Sequence, residues 1–139
     1  MNKLKAIVVG VSEYRSTSIN DLPFCINDIE LFTDTLEQAL KMNRENIFVC
    51  GHSGEVTKDY FIKCLQRFIA TLDESDTLIF YFSGHGTTYE KEHYLVLSDY
   101  MISTGEIIKY LEKNLVRTKI VFLDCCESGG FSIERAPFF

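Results

Sequence analysis

The sequence predicts an α/β domain built on a mostly parallel sheet, with strand order 2-1-3-4 and helices on both faces. Three observations lead there. Short apolar runs rich in valine, isoleucine and phenylalanine recur along the chain, as in AIVVGV (6–11) and TLIFYFSG (77–84). Segments with apolar residues at helical spacing separate them. No internal repeat, low-complexity stretch or linker interrupts the alternation, which is the pattern of strands joined by crossover helices.

The elements follow in order. AIVVGV is continuous rather than alternating, the mark of a strand buried on both faces. Residues 27–41 place Ile29, Phe32, Thr33, Leu36 and Leu40 at helical spacing, with Asn27 and Glu30 as a capping box. NIFVCG (46–51) is the second strand. A helix follows whose Phe61, Cys64, Leu65, Phe68, Ile69 and Leu72 fall on one stripe, so Cys64 is expected in the core. TLIFYFSG is the third strand, and residues 85–99 read as an irregular excursion or hairpin. Ser103 and Glu106 form another capping box, opening a helix with Ile107, Ile108, Leu111 and Leu115 inward. KIVFLD (119–124) is the fourth strand. Right-handed crossovers and one reversal of direction give the order 2-1-3-4.

The 139 residues suffice for one domain with a core, and 46% apolar with 13% aromatic residues is a globular composition. No stretch approaches a membrane span, and the amino-terminal apolar run lacks a small-residue cleavage site. A net charge of −6 without a basic cluster argues against a nucleic-acid surface. Cys25, Cys50, Cys64, Cys125 and Cys126 form an odd set without a CxxC pair, which fits free thiols in a reducing, cytoplasmic setting.

In such sheets, sites form at the carboxyl ends of the strands. His85 lies just past the end of the third strand, and Cys125 and Cys126 just past the end of the fourth. Neighbouring strands would bring these ends within about 5 Å. His52 follows the second strand, about 14 Å from the fourth; that distance also opposes a Cys50–His52–Cys125 metal site. His93 falls in the excursion and is expected to be exposed. Of the two cysteines, Cys125 continues the apolar strand and is expected to tuck under the turn. Cys126 starts the Glu-Ser-Gly-Gly turn and is expected to face the cleft, where a nearby histidine promotes the thiolate. Gly86 lets a ligand approach its N–H, which with the N–H of Cys126 suits a developing oxyanion.

"YFSGHG" at one strand end and "DCCESG" at the next resemble the His and Cys motifs of the caspase-like cysteine peptidases. The closer resemblance is to metacaspases and their bacterial relatives, with Ser-Gly-His-Gly and Asp-x-Cys-x-Ser-Gly. "VVGVSEY" and "LPFCINDIELF" resemble that family's first strand and following Asn-Asp helix start. The resemblance implies a three-layer caspase-like fold and a cysteine endopeptidase using a Cys126–His85 dyad. Cys126 would be the nucleophile, His85 the general base and acid, and the Gly86 and Cys126 backbone the oxyanion donors. It implies an acidic first subsite of Asp28, Ser83 and Asp124 that takes arginine or lysine. Two carboxylates near one cleft agree with a cationic side chain. Asp28 can also act at its helix N-terminus, and Asp124 can cap the following turn. The animal-caspase alternative, aspartate bound by arginine, rests here on Arg15.

Two departures stand out. Glu127 occupies a position where metacaspases often have histidine. Caspase-like folds also have two further strands after the nucleophile, whereas this chain stops thirteen residues beyond Cys126. The expectation is a catalytic large-subunit domain over residues 1–139 that lacks the small-subunit strands. Its partners would be a protein or peptide substrate and the missing carboxyl-terminal part or a regulatory domain. No cofactor is expected. Calcium activates some metacaspases, but around Asp99 no dense run of oxygen ligands appears. Arg135 in "SIERAPFF" is a candidate self-processing point. The competing classes are a catalytically silent caspase-like binding module and a nucleotide-binding domain, the latter without GxGxxG or a Walker lysine.

Overall fold

The computed structural model describes residues 3–114 and 116–127. Six strands and three helices appear in the order β1 (Leu4–Gly10), α1 (Phe24–Ala39), β2 (Ile47–Cys50), α2 (Lys58–Ala70), β3 (Thr77–Tyr89), β4 (Glu92–Val96), β5 (Met101–Ser103), α3 (Thr104–Leu111) and β6 (Thr118–Glu127). Parallel pairing joins β2 to β1, β1 to β3 and β3 to β6, so the four strands foreseen from the sequence stand in the order expected. The sheet as a whole is mixed rather than mostly parallel. β3 outruns β1, and its last residues pair antiparallel with β4, which pairs antiparallel with β5. The segment read as an irregular excursion or hairpin is a hairpin, turning through Glu90 and Lys91 at positive φ.

Strand alternation divides the core into two layers. Ile7, Val9, Leu78, Phe80 and Phe82 face Phe61, Leu65 and Phe68 of α2 and Ile107 and Leu111 of α3. Ala6, Val8, Ile79 and Tyr81 face Ile29 and Leu36 of α1. The central strands are therefore buried on both sides, as their unbroken apolar runs require.

The helix ends depart from the sequence reading in instructive ways. α1 begins at Phe24 behind Pro23, whose φ of −60° is already helical, and uses no side-chain cap. Asn27 and Glu30 are therefore interior residues and not a capping box, because Pro23 sets the start one turn earlier. Leu40 lies past the end of α1 and is exposed. α3 does start on Ser103, whose hydroxyl accepts from the Glu106 N–H at 3.0 Å. Ile108, expected inward, is exposed on that helix, and Leu115 lies outside the described residues. α2 is capped by Thr57, which accepts from the Tyr60 N–H, and by Asp99, which accepts from the Lys58 N–H at 2.9 Å.

At the opposite end of the sheet, a buried carboxylate ties β1 to β3. Asp76 accepts from the Asp73 N–H at 2.7 Å and pairs with Lys5 at 3.1 Å. Burial pushes its carboxyl up, but the Asp73 amide and Lys5 outweigh burial and hold it below the ordinary aspartate value. A group depressed in the folded state contributes stability above its unfolded pKa, about 3.9. That contribution is lost as pH falls through the lower folded value. Asp76→Asn is accordingly expected to destabilise the fold at pH 7, with a gap to the parent protein that narrows below about pH 4. Urea denaturation at several pH values measures that gap.

Candidate active site

The parallel ladder between β3 and β6 brings the two sequence motifs together. Its register sets Ser83 against Asp124, Gly84 against Cys125 and His85 against Cys126. Adjacent strands lie about 4.8 Å apart, so position 126 is the direct neighbour of His85. β6 runs on through Glu127, so Cys126 is a strand position and not the start of a turn. His52 follows β2, three strands away from β6.

His85 is 4% exposed and held from two sides. Its N–H donates to the Tyr14 hydroxyl at 2.9 Å, and that hydroxyl donates to the Val11 carbonyl at 3.2 Å. The two rings pack with centroids 4.8 Å apart. Its Nε2 lies 2.8 Å from the Asn20 carbonyl oxygen. A carbonyl can only accept, so Nε2 carries a proton here. Neither Tyr14 nor Asn20 was found from the sequence. The Tyr14 end of "VVGVSEY" carried a signal, since the chain leaving β1 must cross the carboxyl ends of its neighbours. Asn20 acts through its backbone and left none.

Cys125 belongs to the other layer. It is half-buried and packs against the core shared by α2 and α3. A Cβ added at Gly86 would lie 2.9 Å from the Cys125 Cβ, 3.2 Å from its Sγ and 3.1 Å from Nε2 of His93. No side chain fits at position 86, between thiol and imidazole. His93, expected to be exposed, is instead half-buried, with Nδ1 2.7 Å from the Thr104 hydroxyl.

The three residues expected to form an acidic subsite lie on the α1 side of the sheet. The Ser83 hydroxyl donates to Asp28 Oδ2 at 2.9 Å. Asp28 sits in the second turn of α1, so it faces the sheet and does not serve the helix N-terminus. Asp124 lies within β6, three residues short of its end, and accepts from the Tyr81 hydroxyl at 3.4 Å rather than capping a turn. Tyr81 was not foreseen here. Burial, with the charges of Asp124 and Asp28, pushes its phenol up to about 12, which keeps it a neutral donor between two carboxylates. Arg15 is committed elsewhere, its guanidinium 2.6 Å from Glu55. Among the described residues no three His, Cys, Asp or Glu side chains gather as a metal site.

With this geometry in view, comparison with known proteins is decisive. The family model of the caspase domain matches residues 3–137. The chain belongs to the caspase domain family. This caspase domain is 28% identical to metacaspase-5 of Trypanosoma cruzi over 98% of its length, and 28% identical to metacaspase-9 of Arabidopsis thaliana over 94%. It spans 34% and 45% of those two proteins, less than half of either. The solved structure of pro-sf-caspase-1 matches 94% of the domain with a TM-score of 0.72 at 14% identity, and the domain covers 54% of that chain. That likeness shows the caspase-like fold.

Tyr14→Phe tests the support of His85. The substitution leaves a buried N–H without its acceptor and is expected to cost about 1–3 kcal/mol. Thermal or urea denaturation measures the loss.

Proposed function

We propose that this caspase domain is the catalytic part of a cysteine endopeptidase that cleaves protein substrates after arginine or lysine. The observation that carries the reading is the β3–β6 register, which makes His85 and Cys126 neighbours at the carboxyl end of the sheet. The packing of Cys125 against the opposite layer supports Cys126 rather than Cys125 as the nucleophile.

In the proposed mechanism, Nδ1 of His85 takes the thiol proton of Cys126, and the thiolate attacks the substrate carbonyl. The Asn20 carbonyl holds Nε2–H and stabilises the ring as it becomes positive. The N–H groups of Gly86 and Cys126 take the oxyanion. His85 then protonates the leaving amine, and water, activated by the same imidazole, releases the acyl group. No cofactor enters these steps. The pairing of Ser83 with Asp28, and the Asp124 carboxylate beside it, supports a cationic side chain in the first subsite. The pairing of Arg15 with Glu55 speaks against aspartate there.

A further part of the protein is proposed to complete the groove. Ile120, Val121, Phe122 and Leu123 of β6 are 39–47% exposed, on both faces of the strand. Covering them is the role assigned to carboxyl-terminal small-subunit strands. The free thiols support a reducing, cytoplasmic location. Self-processing at Arg135 concerns a position outside the described residues.

In the complete protein, Cys126→Ala is expected to abolish cleavage of Arg/Lys reporter peptides, while Cys125→Ala keeps most activity. Turnover unchanged by Cys126→Ala refutes the assignment, and loss only with Cys125→Ala moves it by one residue. If an irreversible thiol-reactive peptide ending in arginine leaves the parent protein unlabelled, the domain is a silent binding module. Asp124→Asn is expected to lower kcat/KM for arginine substrates by about tenfold to a hundredfold, the scale of one charge-assisted contact.

A further inference from the structure

A second pair of sulfurs lies away from this site, between α2 and the carboxyl end of β2. α2 runs antiparallel to β2, and the edge-on contact of Phe48 with Phe68, 5.4 Å between centroids, fixes how the two elements align. Two residues further along β2 is Cys50, about 6.6 Å on. One turn back along α2 is Cys64, about 6 Å on. The same alignment sets the two cysteines against each other in one packed layer, near enough for each thiol to shift the other's ionisation. Both are unbridged; Cys50 is buried and Cys64 half-buried. Tyr60, one turn before Cys64 on α2, is exposed. Tyr60 lines an open hollow of about 570 Å3 together with Gly51, which follows Cys50, and His52 and Ser53.

The environments of the two thiols differ in one direction. Hydrogen bonding from Cys50 lowers Cys64 to about 6 against its partial burial, helped by Tyr60 and the charge of Arg67. Cys50 is pushed up, by donating to Cys64 and by its own burial. Cys64 is thus shifted toward the thiolate, and Cys50 toward the protonated thiol.

We propose that Cys64 and Cys50 form a peroxide-responsive pair, in which Cys64 is oxidised first and Cys50 closes an intramolecular disulfide. The oxidant is hydrogen peroxide. The Cys64 thiolate attacks one peroxide oxygen, the O–O bond breaks, hydroxide leaves, and Cys64 becomes a sulfenic acid. The Cys50 sulfur then attacks the Cys64 sulfur, the S–O bond breaks, and the hydroxyl departs as water with the Cys50 proton. Two thiols lose two electrons in all, and one peroxide, with the two thiol protons, becomes two waters. The product staples the first half of α2 to the end of β2.

The test uses the complete protein carrying Cys126→Ala, so that thiol chemistry at the proposed active site does not compete. Trypsin separates the two cysteines into residues 45–58 and 64–67. After one equivalent of hydrogen peroxide, mass spectrometry without reductant is expected to find these peptides joined. Cys50→Ser is expected to leave a sulfenic acid at Cys64, trapped by dimedone on residues 64–67. In the folded protein at pH 6.5, iodoacetamide is expected to alkylate Cys64 at least about fivefold faster than in the urea-unfolded chain, where the thiol has its ordinary pKa near 8.5. The proposal is overturned if other cysteines oxidise while residues 64–67 stay unmodified, or if folding brings no gain in alkylation rate.

Discussion

The parallel ladder between β3 and β6 is the constraint on which the rest of the molecule depends. From Thr77 beside Thr118 to Gly86 beside Glu127 it holds one register. Side chains alternate along strands, so a slip by one residue would exchange every side chain between the two layers. Phe80 and Phe82 would leave the α2 side, and Ser83 would lose Asp124 as its neighbour. Packing the core and assembling the site are thus one specification. The apolar cost of a wrong register protects a polar arrangement that has little stabilising power of its own.

Around that ladder, the site is positioned by backbone as much as by side chains. The segment after β1 returns over the strand ends, fastened by Val11 N–H to the Ser83 carbonyl and by Leu22 N–H to the Ser12 carbonyl. This sets both the Tyr14 hydroxyl and the Asn20 carbonyl against His85. The imidazole is therefore oriented by neutral partners, while the carboxylates of Asp28 and Asp124 gather around Tyr81 and Ser83. The two carboxylates thus stand apart from the groups that hold the ring.

Much of this was legible in the sequence. The four parallel strands follow from apolar runs, because strands buried on both faces must be apolar throughout, and their order from right-handed crossovers with one reversal of direction. The pairing of His85 with the 125–126 region follows from that order. What stayed hidden has specific physical causes. Pro23 starts α1 by its fixed φ, which made the Asn27–Glu30 pattern misleading. The β3–β4 hairpin turns on Glu90 and Lys91 rather than on glycine or asparagine, so no turn signal marked it. His93 looked like a loop residue because the segment could be read as an excursion as well as a hairpin, and β5 was not foreseen. Asn20 contributes a main-chain oxygen, which any residue type supplies.

β6 carries position 126 and yet has β3 as its sole pairing neighbour among the described residues. Its outer rim of N–H and C=O groups is open to pairing, and Ile120 to Leu123 leave apolar surface in water. A strand so placed gains order from whatever lies down beside it. The geometry at position 126 is then hostage to an adjoining surface, and a bare edge invites stickiness between molecules as readily as it invites its proper cover.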